Sequence, residues 1–430
     1  MPASPDDVVG HHVPPCQYAT FDRMRIRPLG RWIGFGLLGL VLLFAVWIGV
    51  SAIVYSPEYV SRVLTMRESS QVDYLENFPT RRLHASDDPY RYQIRLDPEA
   101  DARLEMALVT DDLDEFMDST DTQALIVIED ATIVFERYAN GAGRDSMLTS
   151  FSVAKSFDSA LIGIAIDEDF ISDVSDPVTD YLPELAAKDP RLSDVTVAHL
   201  LSMSSGLDYS EMRWALFNGD DPLTTYHPDQ RQVSLDAATR IADEPGRYFR
   251  YNKYHPQLLG MVLERATGMS VTEFTQTRLW SRIGMEFDGQ WTLDSEQSGF
   301  EKMEAGLNAR AVDFAKLGSL FLNGGDWNGS RVVSEDWIRA SVSPDPERDG
   351  ADYYRDDFGQ WIHQDGAGWY GYFWYGRARP GSEPDFFAEG DHGQFIYVSP
   401  SADTVIVRIG SEFGVKGSVW VDAFHDYCST

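Results

Sequence analysis

From Trp32 to Tyr55 the chain is apolar without a single charge. At about 1.5 Å of helical rise per residue, that run is long enough to cross a hydrocarbon core of about 30 Å. Residues 56 to 120 are polar and acidic, and V-T-D-D-L-D-E-F-M-D within them has the look of an exposed helix. The pattern then changes. A-L-I-V-I-E-D-A-T-I-V-F-E-R-Y, residues 124 to 138, holds two β-rich runs around a short polar break, and Q-F-I-Y-V-S-P with T-V-I-V-R-I-G repeats that arrangement near the C-terminus. Each pair predicts a hairpin. The region from about 160 to 330, with V-A-H-L-L-S-M, L-L-G-M-V-L-E-R-A-T-G and A-V-D-F-A-K-L-G-S-L-F-L-N-G-G, spaces its apolar residues as helices do. The fold class this predicts is α/β: an antiparallel sheet formed from both ends of the body, a helical insertion between them, and one transmembrane helix in front.

Charge orients the apolar run. Arg23, Arg25, Arg27 and Arg31 crowd its N-terminal side, and the positive-inside bias puts that side in the cytoplasm. The expected organisation is a cytoplasmic tail at 1–31, a transmembrane anchor at 32–55, a linker and start of the body at 56–120, and a catalytic domain at 121–430. The tail reads as short and unstructured, and Met24 is a second possible start. A cleaved signal peptide is the competing reading, with Ser51 and Ala52 as small residues near a cleavage point. The apolar run is about twice the length of a signal-peptide core, which favours a single-pass anchor. The body would then be periplasmic or extracellular.

The chain of 430 residues carries 68 acidic against 36 basic residues, a net charge of −32. Nucleic acid is excluded as a partner on that balance, which leaves no basic footprint. Lys155, Lys188, Lys253, Lys302, Lys316 and Lys416 are its only lysines. So acidic a chain is suited to high salt, where counter-ions screen self-repulsion. Its two cysteines, Cys16 and Cys428, fall on opposite sides of the expected membrane, which argues against a disulfide between them. Without a CxxC pair or a Cys/His cluster, a structural zinc site has no support.

The candidate chemistry begins at T-S-F-S-V-A-K-S-F, residues 149 to 157. Beyond Ser152 the chain is largely apolar as far as Asp167, the pattern of a buried helix. Ser152 and Lys155, three apart, share a helix face. A lysine stripped of water favours its neutral form and becomes a proton acceptor. A serine at a helix N-terminus has backbone N–H groups close by to hold an oxyanion. The plain alternative is that Ser150 or Ser152 caps the helix and Lys155 reaches solvent. Of the two serines, Ser150 is the expected cap and Ser152 the expected nucleophile.

Two further segments join this one. P-G-R-Y-F-R-Y-N-K-Y-H-P-Q sets Tyr251 in a loop before a helix, and A-E-G-D-H-G-Q-F-I-Y-V-S-P places Gly390 and Gly393 at the head of a strand. Taken in order, S-V-A-K, Y-N-K and A-E-G-D-H-G-Q resemble the three signature elements of the serine β-lactamase and penicillin-binding-protein superfamily. The resemblance is strongest to class C-like serine hydrolases, which include esterases, D-aminopeptidases and 6-aminohexanoate-dimer hydrolase. L-L-S-M-S-S-G-L (200 to 207), L-N-A-R-A-V-D-F-A-K-L-G (307 to 318) and G-Y-F-W-Y-G (371 to 376) add to it, and it spans about 120 to 425.

That resemblance implies roles. Ser152 would be acylated, Lys155 would be its base partner, and Tyr251 would pass a proton to the leaving group. The oxyanion would be held by the backbone N–H of Ser152 and that of the residue after the third-motif glycine. That residue is Asp391 if the glycine is Gly390, and Gln394 if it is Gly393; His392 lies between. Two departures stand out. Lys253 occupies the third position of Tyr-x-Asn, leaving Asn252 to supply a polar contact. Ala388-Glu389-Gly390, or Asp391-His392-Gly393, replaces Lys-Thr-Gly, so the lysine that anchors a β-lactam carboxylate is missing.

Other residues read as structural. His199 belongs to an amphipathic helix, and His255 and Pro256 shape the Tyr251 loop. Trp369, Tyr370, Tyr372, Phe373, Trp374 and Tyr375 read as strand packing, with some available to an acyl pocket, and Asp220 and Asp221 as solvated surface. The function expected is hydrolysis of a small ester, amide or peptide through an acyl-enzyme, without metal or organic cofactor. The alternative is a membrane-anchored binding protein for envelope peptides that keeps the fold without turnover. Lys253 favours that alternative, and the intact Ser152, Lys155 and Tyr251 set opposes it.

Overall fold

The structure is a computed structural model that describes residues 29–429 apart from 67–69, 71–72, 211–218, 347, 349, 351, 356 and 364–365. The tail with Cys16, Met24, Arg23, Arg25 and Arg27 lies outside the described residues. The chain divides into two units, Met1–Val54 and Tyr55–Thr430. In the first, Leu29–Val54 is one continuous helix, and its segment Phe35–Val54 is long and apolar enough to cross a membrane.

In the second unit, the two ends of the chain build one sheet. Its order is Gly368–Tyr370, Tyr375–Arg377, Asp385–Gly390, Gln394–Ser399, Thr404–Gly410, Thr122–Glu129, Thr132–Tyr138 and Gln93–Ile94. Neighbouring strands run antiparallel, except that Gln93–Ile94 joins Thr132–Tyr138 in parallel. The two hairpins legible in the sequence thus lie side by side, joined by Thr404–Gly410 against Thr122–Glu129. From Ala124 to Ile128 and from Val405 to Ile409 every residue is buried, as a strand covered on both faces requires.

One cover is the helix Ala311–Leu322, which packs against Gln394–Ser399 and Thr404–Gly410. At Gly318 an added Cβ would come within 2.7 Å of Val405 and 2.8 Å of Ile396, so glycine sets how close helix and sheet lie. The other cover is the C-terminal helix Gly417–Tyr427, whose Phe424 ring meets Phe395 and Tyr397. The polar stretch after the apolar helix carries the helices Pro57–Thr65, Pro98–Leu108 and Leu113–Ser119. Tyr59 and Leu83 anchor it, both fully buried.

Along the chain, the helical insertion falls between the segments that build the two halves of the sheet, and it is centred on Ala154–Asp167. All of its residues from Ala154 to Ala165 are buried. Helix Tyr254–Thr267 packs alongside it, and its first turn includes His255 and Pro256. These two therefore belong to the helix rather than to the Tyr251 loop. His255 is buried, with Nε2 2.6 Å from the Ser205 hydroxyl. A second small sheet, Thr80–Leu83, Gly289–Thr292, Leu307–Ala309 and Leu148–Thr149, delivers the chain to the start of the central helix.

Candidate active site

Strand Leu148–Thr149 ends in a tight turn, Phe151–Val153, that feeds directly into the central helix. Phe151 sits at φ +44°, a left-handed conformation that costs a bulky residue of order 1–3 kcal/mol. Its ring holds it there, packed 4.8 Å from His392 and 5.5 Å from Tyr74, centroid to centroid. Ser152 comes next, half-buried. The expected cap is not formed: Ser150 is fully buried, and its hydroxyl donates to the Phe151 carbonyl at 3.1 Å instead of accepting from the helix. A tight turn already bends the backbone ahead of the helix, so that hydroxyl turns inward.

Lys155 is 1% exposed, so it does not reach solvent. Its Nζ lies 2.9 Å from Ser152 Oγ and donates to the Glu304 carbonyl at 2.7 Å. The same nitrogen stands 5.1 Å from the centre of the Tyr251 ring. Serine, lysine and tyrosine are thus gathered around one point. One turn further along the helix, Asp158 is fully buried with both carboxyl oxygens unpartnered among the described residues. Burial raises its carboxyl well above the ordinary range, against the pull of the Lys155 charge. The polar residue inside S-F-D-S-A-L-I was a visible signal for this group. Nothing in the sequence pointed to the Glu304 carbonyl.

The third motif closes the site. An added Cβ on Gly390 would lie 2.7 Å from the Ser150 carbonyl oxygen and 3.0 Å from the Ser152 nitrogen. Gly390 is therefore the glycine that lies against the Ser152 backbone, and Asp391, exposed, succeeds it at the site's edge. Gly393, at φ +77°, packs on the guanidinium of Arg408 instead. His392, at φ +61°, covers Phe151. Gln394 is fully buried and donates to the carbonyls of Asp391 at 3.0 Å and Gly410 at 2.7 Å. Its side chain braces the turn. Arg408 locks the same turn from below, donating to the carbonyls of His392 and Gly393 and, across the sheet, to that of Thr120.

The second motif is arranged differently from its sequence. Asn252 is fully buried, its side-chain oxygen accepting from the Tyr254 N–H at 2.9 Å, which starts the helix. Lys253 pairs with the Asp221 carboxylate. Burial, the largest influence, opposes its charge, but Asp221 together with Tyr209 and Asp391 outweighs it and holds the ammonium well above its ordinary range. Asp220 and Asp221 are thus not solvated surface. Asp220 is 2% exposed, receives the Tyr254 hydroxyl at 3.0 Å and the Ser210 N–H at 2.7 Å, and pairs with Arg240. Arginine, lysine and tyrosine partners make burial of these acids tolerable.

His199 closes a capping box, its Nδ1 accepting from the Thr196 N–H. Trp369, Tyr370, Phe373, Trp374 and Tyr375 are buried core, and Phe358 stands edge-on to Tyr251 at 5.1 Å.

A mostly antiparallel sheet covered by helices, with serine and lysine in contact at the head of the buried helix and tyrosine beside them, defines the β-lactamase-like α/β fold. The chain belongs to the Beta-lactamase family, whose model matches residues 109–417, and so to hydrolases of the serine β-lactamase and esterase type. It is 28% identical to 6-aminohexanoate-dimer hydrolase of Paenarthrobacter ureafaciens over 319 residues, 70% of this chain and 75% of that protein. Among solved structures, a Bacillus anthracis protein provisionally named as a 6-aminohexanoate-dimer hydrolase matches with a TM-score of 0.67 and 23% identity, covering 83% of this chain and 93% of that one. A family VIII carboxylesterase matches with a TM-score of 0.56 and 19% identity, over 78% and 99% of the two chains.

Proposed function

We propose that the protein is a membrane-anchored serine hydrolase that cleaves an ester or amide through an acyl-enzyme on Ser152. The observation that carries this reading is the 2.9 Å approach of Lys155 Nζ to Ser152 Oγ in a site where the lysine has almost no solvent. In the first step, Lys155 takes the Ser152 proton as Oγ bonds to the substrate carbonyl carbon. The resulting oxyanion is met by the backbone N–H groups of Ser152 and Asp391. Tyr251 gives its proton to the departing oxygen or nitrogen as the bond to it breaks, and takes back the proton that Lys155 removed from Ser152. Water then attacks the acyl carbon, the acid leaves, and Ser152 regains its proton.

The Lys253–Asp221 pair supports turnover over the binding-protein alternative, because it neutralises the cation that would disturb Lys155. Ala388 and Glu389 stand where a carboxylate-anchoring Lys-Thr would, which argues for simple esters or amides over β-lactams. With the arginines ahead of the apolar helix inside, the site faces the periplasm or exterior.

The test is hydrolysis of p-nitrophenyl esters by the full chain in detergent. Tyr251→Phe and Lys155→Ala should each lower kcat/KM by about 10²–10⁴, and Ser152→Ala should abolish the acyl adduct in the intact mass. A Ser152→Ala protein that retained the wild-type rate would end this assignment.

A further inference from the structure

The last carbonyls of a helix lie beyond its own hydrogen-bond ladder, and at the end of helix Asp220–Tyr226 two buried cations take them. Lys302 Nζ donates to the Thr225 carbonyl at 2.8 Å, and Arg62 Nη1 donates to that of Tyr226 at 3.2 Å. Both charges also meet the negative end of the helix dipole. At the other end, Asp221 pairs with Lys253, two residues beyond Tyr251, and Asp220 accepts from the Tyr254 hydroxyl at 3.0 Å. With 7 residues at about 1.5 Å of rise each, the helix is a bar of roughly 10 Å between the two cations and the second motif.

The same cations are fastened to the partner of Lys155. Lys302 opens a turn that the Gly306 N–H closes on the Lys302 carbonyl at 2.7 Å. Within that turn, Glu304 supplies the carbonyl that accepts from Lys155 and the carboxylate that pairs with Lys302 at 2.6 Å. Thr292 joins the turn to its neighbouring strand, accepting from the Lys302 N–H at 2.9 Å and donating to the Gly306 carbonyl at 2.8 Å. Two residues on, the Asp294 carbonyl accepts from Arg62 Nη1 at 2.6 Å. Arg62 comes from helix Pro57–Thr65, which packs against helix Asp220–Tyr226. Tyr59 of that helix is fully buried, its ring 5.6 Å from His227, and His227 Nε2 stands 3.1 Å from the Tyr55 carbonyl. The stretch expected to begin a linker is thus tied into the body from Tyr55 onward.

We propose that Arg62 is a positioning residue for the reaction: by joining the end of helix Asp220–Tyr226 to Asp294, it holds the carbonyl partner of Lys155 and the Tyr251 loop in one frame. The segment that follows the apolar helix is then part of the catalytic unit and not a tether. This inference rests on the serine-hydrolase reading. Arg62 touches no reacting atom. Its side chain is 8% exposed, and its fork reaches the two carbonyls and the Glu58 carboxylate together, which a single ammonium on a shorter reach does not. Because Lys155 and Tyr251 move protons in the transition state, loss of the frame falls on the chemical step rather than on substrate binding.

The experiment is p-nitrophenyl ester hydrolysis by the full chain in detergent, with the active sites of each preparation counted by fluorophosphonate labelling carried to completion. Arg62→Met should lower kcat per labelled serine by about tenfold or more with KM within about threefold of the wild type, and Arg62→Lys should recover part of that loss. A side chain that served stability alone would reduce the number of labelled sites and leave kcat per site unchanged. That result would overturn the proposal, as would a loss confined to KM. If Arg62→Met does not fold, Arg62→Lys decides alone: its kcat per site should fall by about threefold or more, and equality with the wild type would contradict the proposal. The two readings fail separately. A wild type that neither labels nor hydrolyses removes the hydrolase and this role with it, whereas a labelled wild type whose kcat per site survives in Arg62→Met removes only the role of Arg62.

Discussion

A lysine nitrogen with almost no water around it must find partners in the protein, and Lys155 has two: a serine hydroxyl and a backbone carbonyl. The serine half of that arrangement was legible, because spacing of three on a helix fixes which side chains meet. The carbonyl half was not, since Glu304 is 149 residues away and offers a main-chain atom that any residue would supply. Gly390 was legible only as one of two glycines; contact with the Ser152 backbone separates it from Gly393. A methyl group there would press on the Ser150 and Ser152 backbone. Gly390→Ala should therefore slow acylation in stopped-flow by about 10² or more and lower the melting temperature, because the backbone beside it must shift; an unaffected rate would contradict this packing. The Lys253–Asp221 pair escaped the sequence because a lysine in a motif carries no sign of where its charge is answered.

His255 yields a prediction in pH. Burial, the main cause, lowers its pKa to about 3, so it is neutral in the folded protein, whereas in the unfolded chain it binds a proton below about 6.5. Stability is then complete above that pH and declines as pH falls beneath it, at about 1.4 kcal/mol per unit for this one group. Urea unfolding at pH about 5 should show ~2 kcal/mol less stability than at pH about 6.5 from this source. His255→Gln should flatten that slope. A slope unchanged by the substitution would mean that other groups set it.

Among the elements, both hairpins could be read directly because their apolar runs are continuous and their turns polar. The small sheet could not. Thr80–Leu83 and Leu148–Thr149 are short, and they pair with strands from the distant Gly289–Ala309 region, so no local pattern marks them. The C-terminal helix is held by a node of the same long-range kind. Asp385, fully buried, accepts from Tyr397 at 2.6 Å, from Arg379 at 2.6 Å and from His425 Nδ1 at 2.8 Å. Asp385→Asn strands the mostly buried Arg379 guanidinium and should cost about 3–5 kcal/mol in denaturant unfolding. A loss below about 1 kcal/mol would show that the node is dispensable.

At the scale of the whole molecule, the net charge of −32 acts on a body whose lysines are largely committed inside. Lys155, Lys302 and Lys316 are buried, and Lys188 and Lys253 are paired with Asp236 and Asp221. The surface is left to acids and arginines, so self-repulsion should fall as salt shortens the screening length from about 10 Å at 0.1 M to about 3 Å at 1 M. The melting temperature should rise by a few degrees over that range; a fall would reverse the sign assigned to surface charge. Orientation is testable on intact cells with Ser401→Cys, an exposed position in the body. A membrane-impermeant maleimide should label it, and a silent thiol that reacts only after lysis would place the body in the cytoplasm.

The central claim is that Ser152 is an activated nucleophile, and the intact mass of the full chain after exposure to a fluorophosphonate, at low and high salt, tests it most directly. One phosphonyl adduct that maps to Ser152 and disappears in Ser152→Ala is the result expected. A folded protein that takes up no adduct at either salt would contradict the claim and return the fold to the binding-protein alternative.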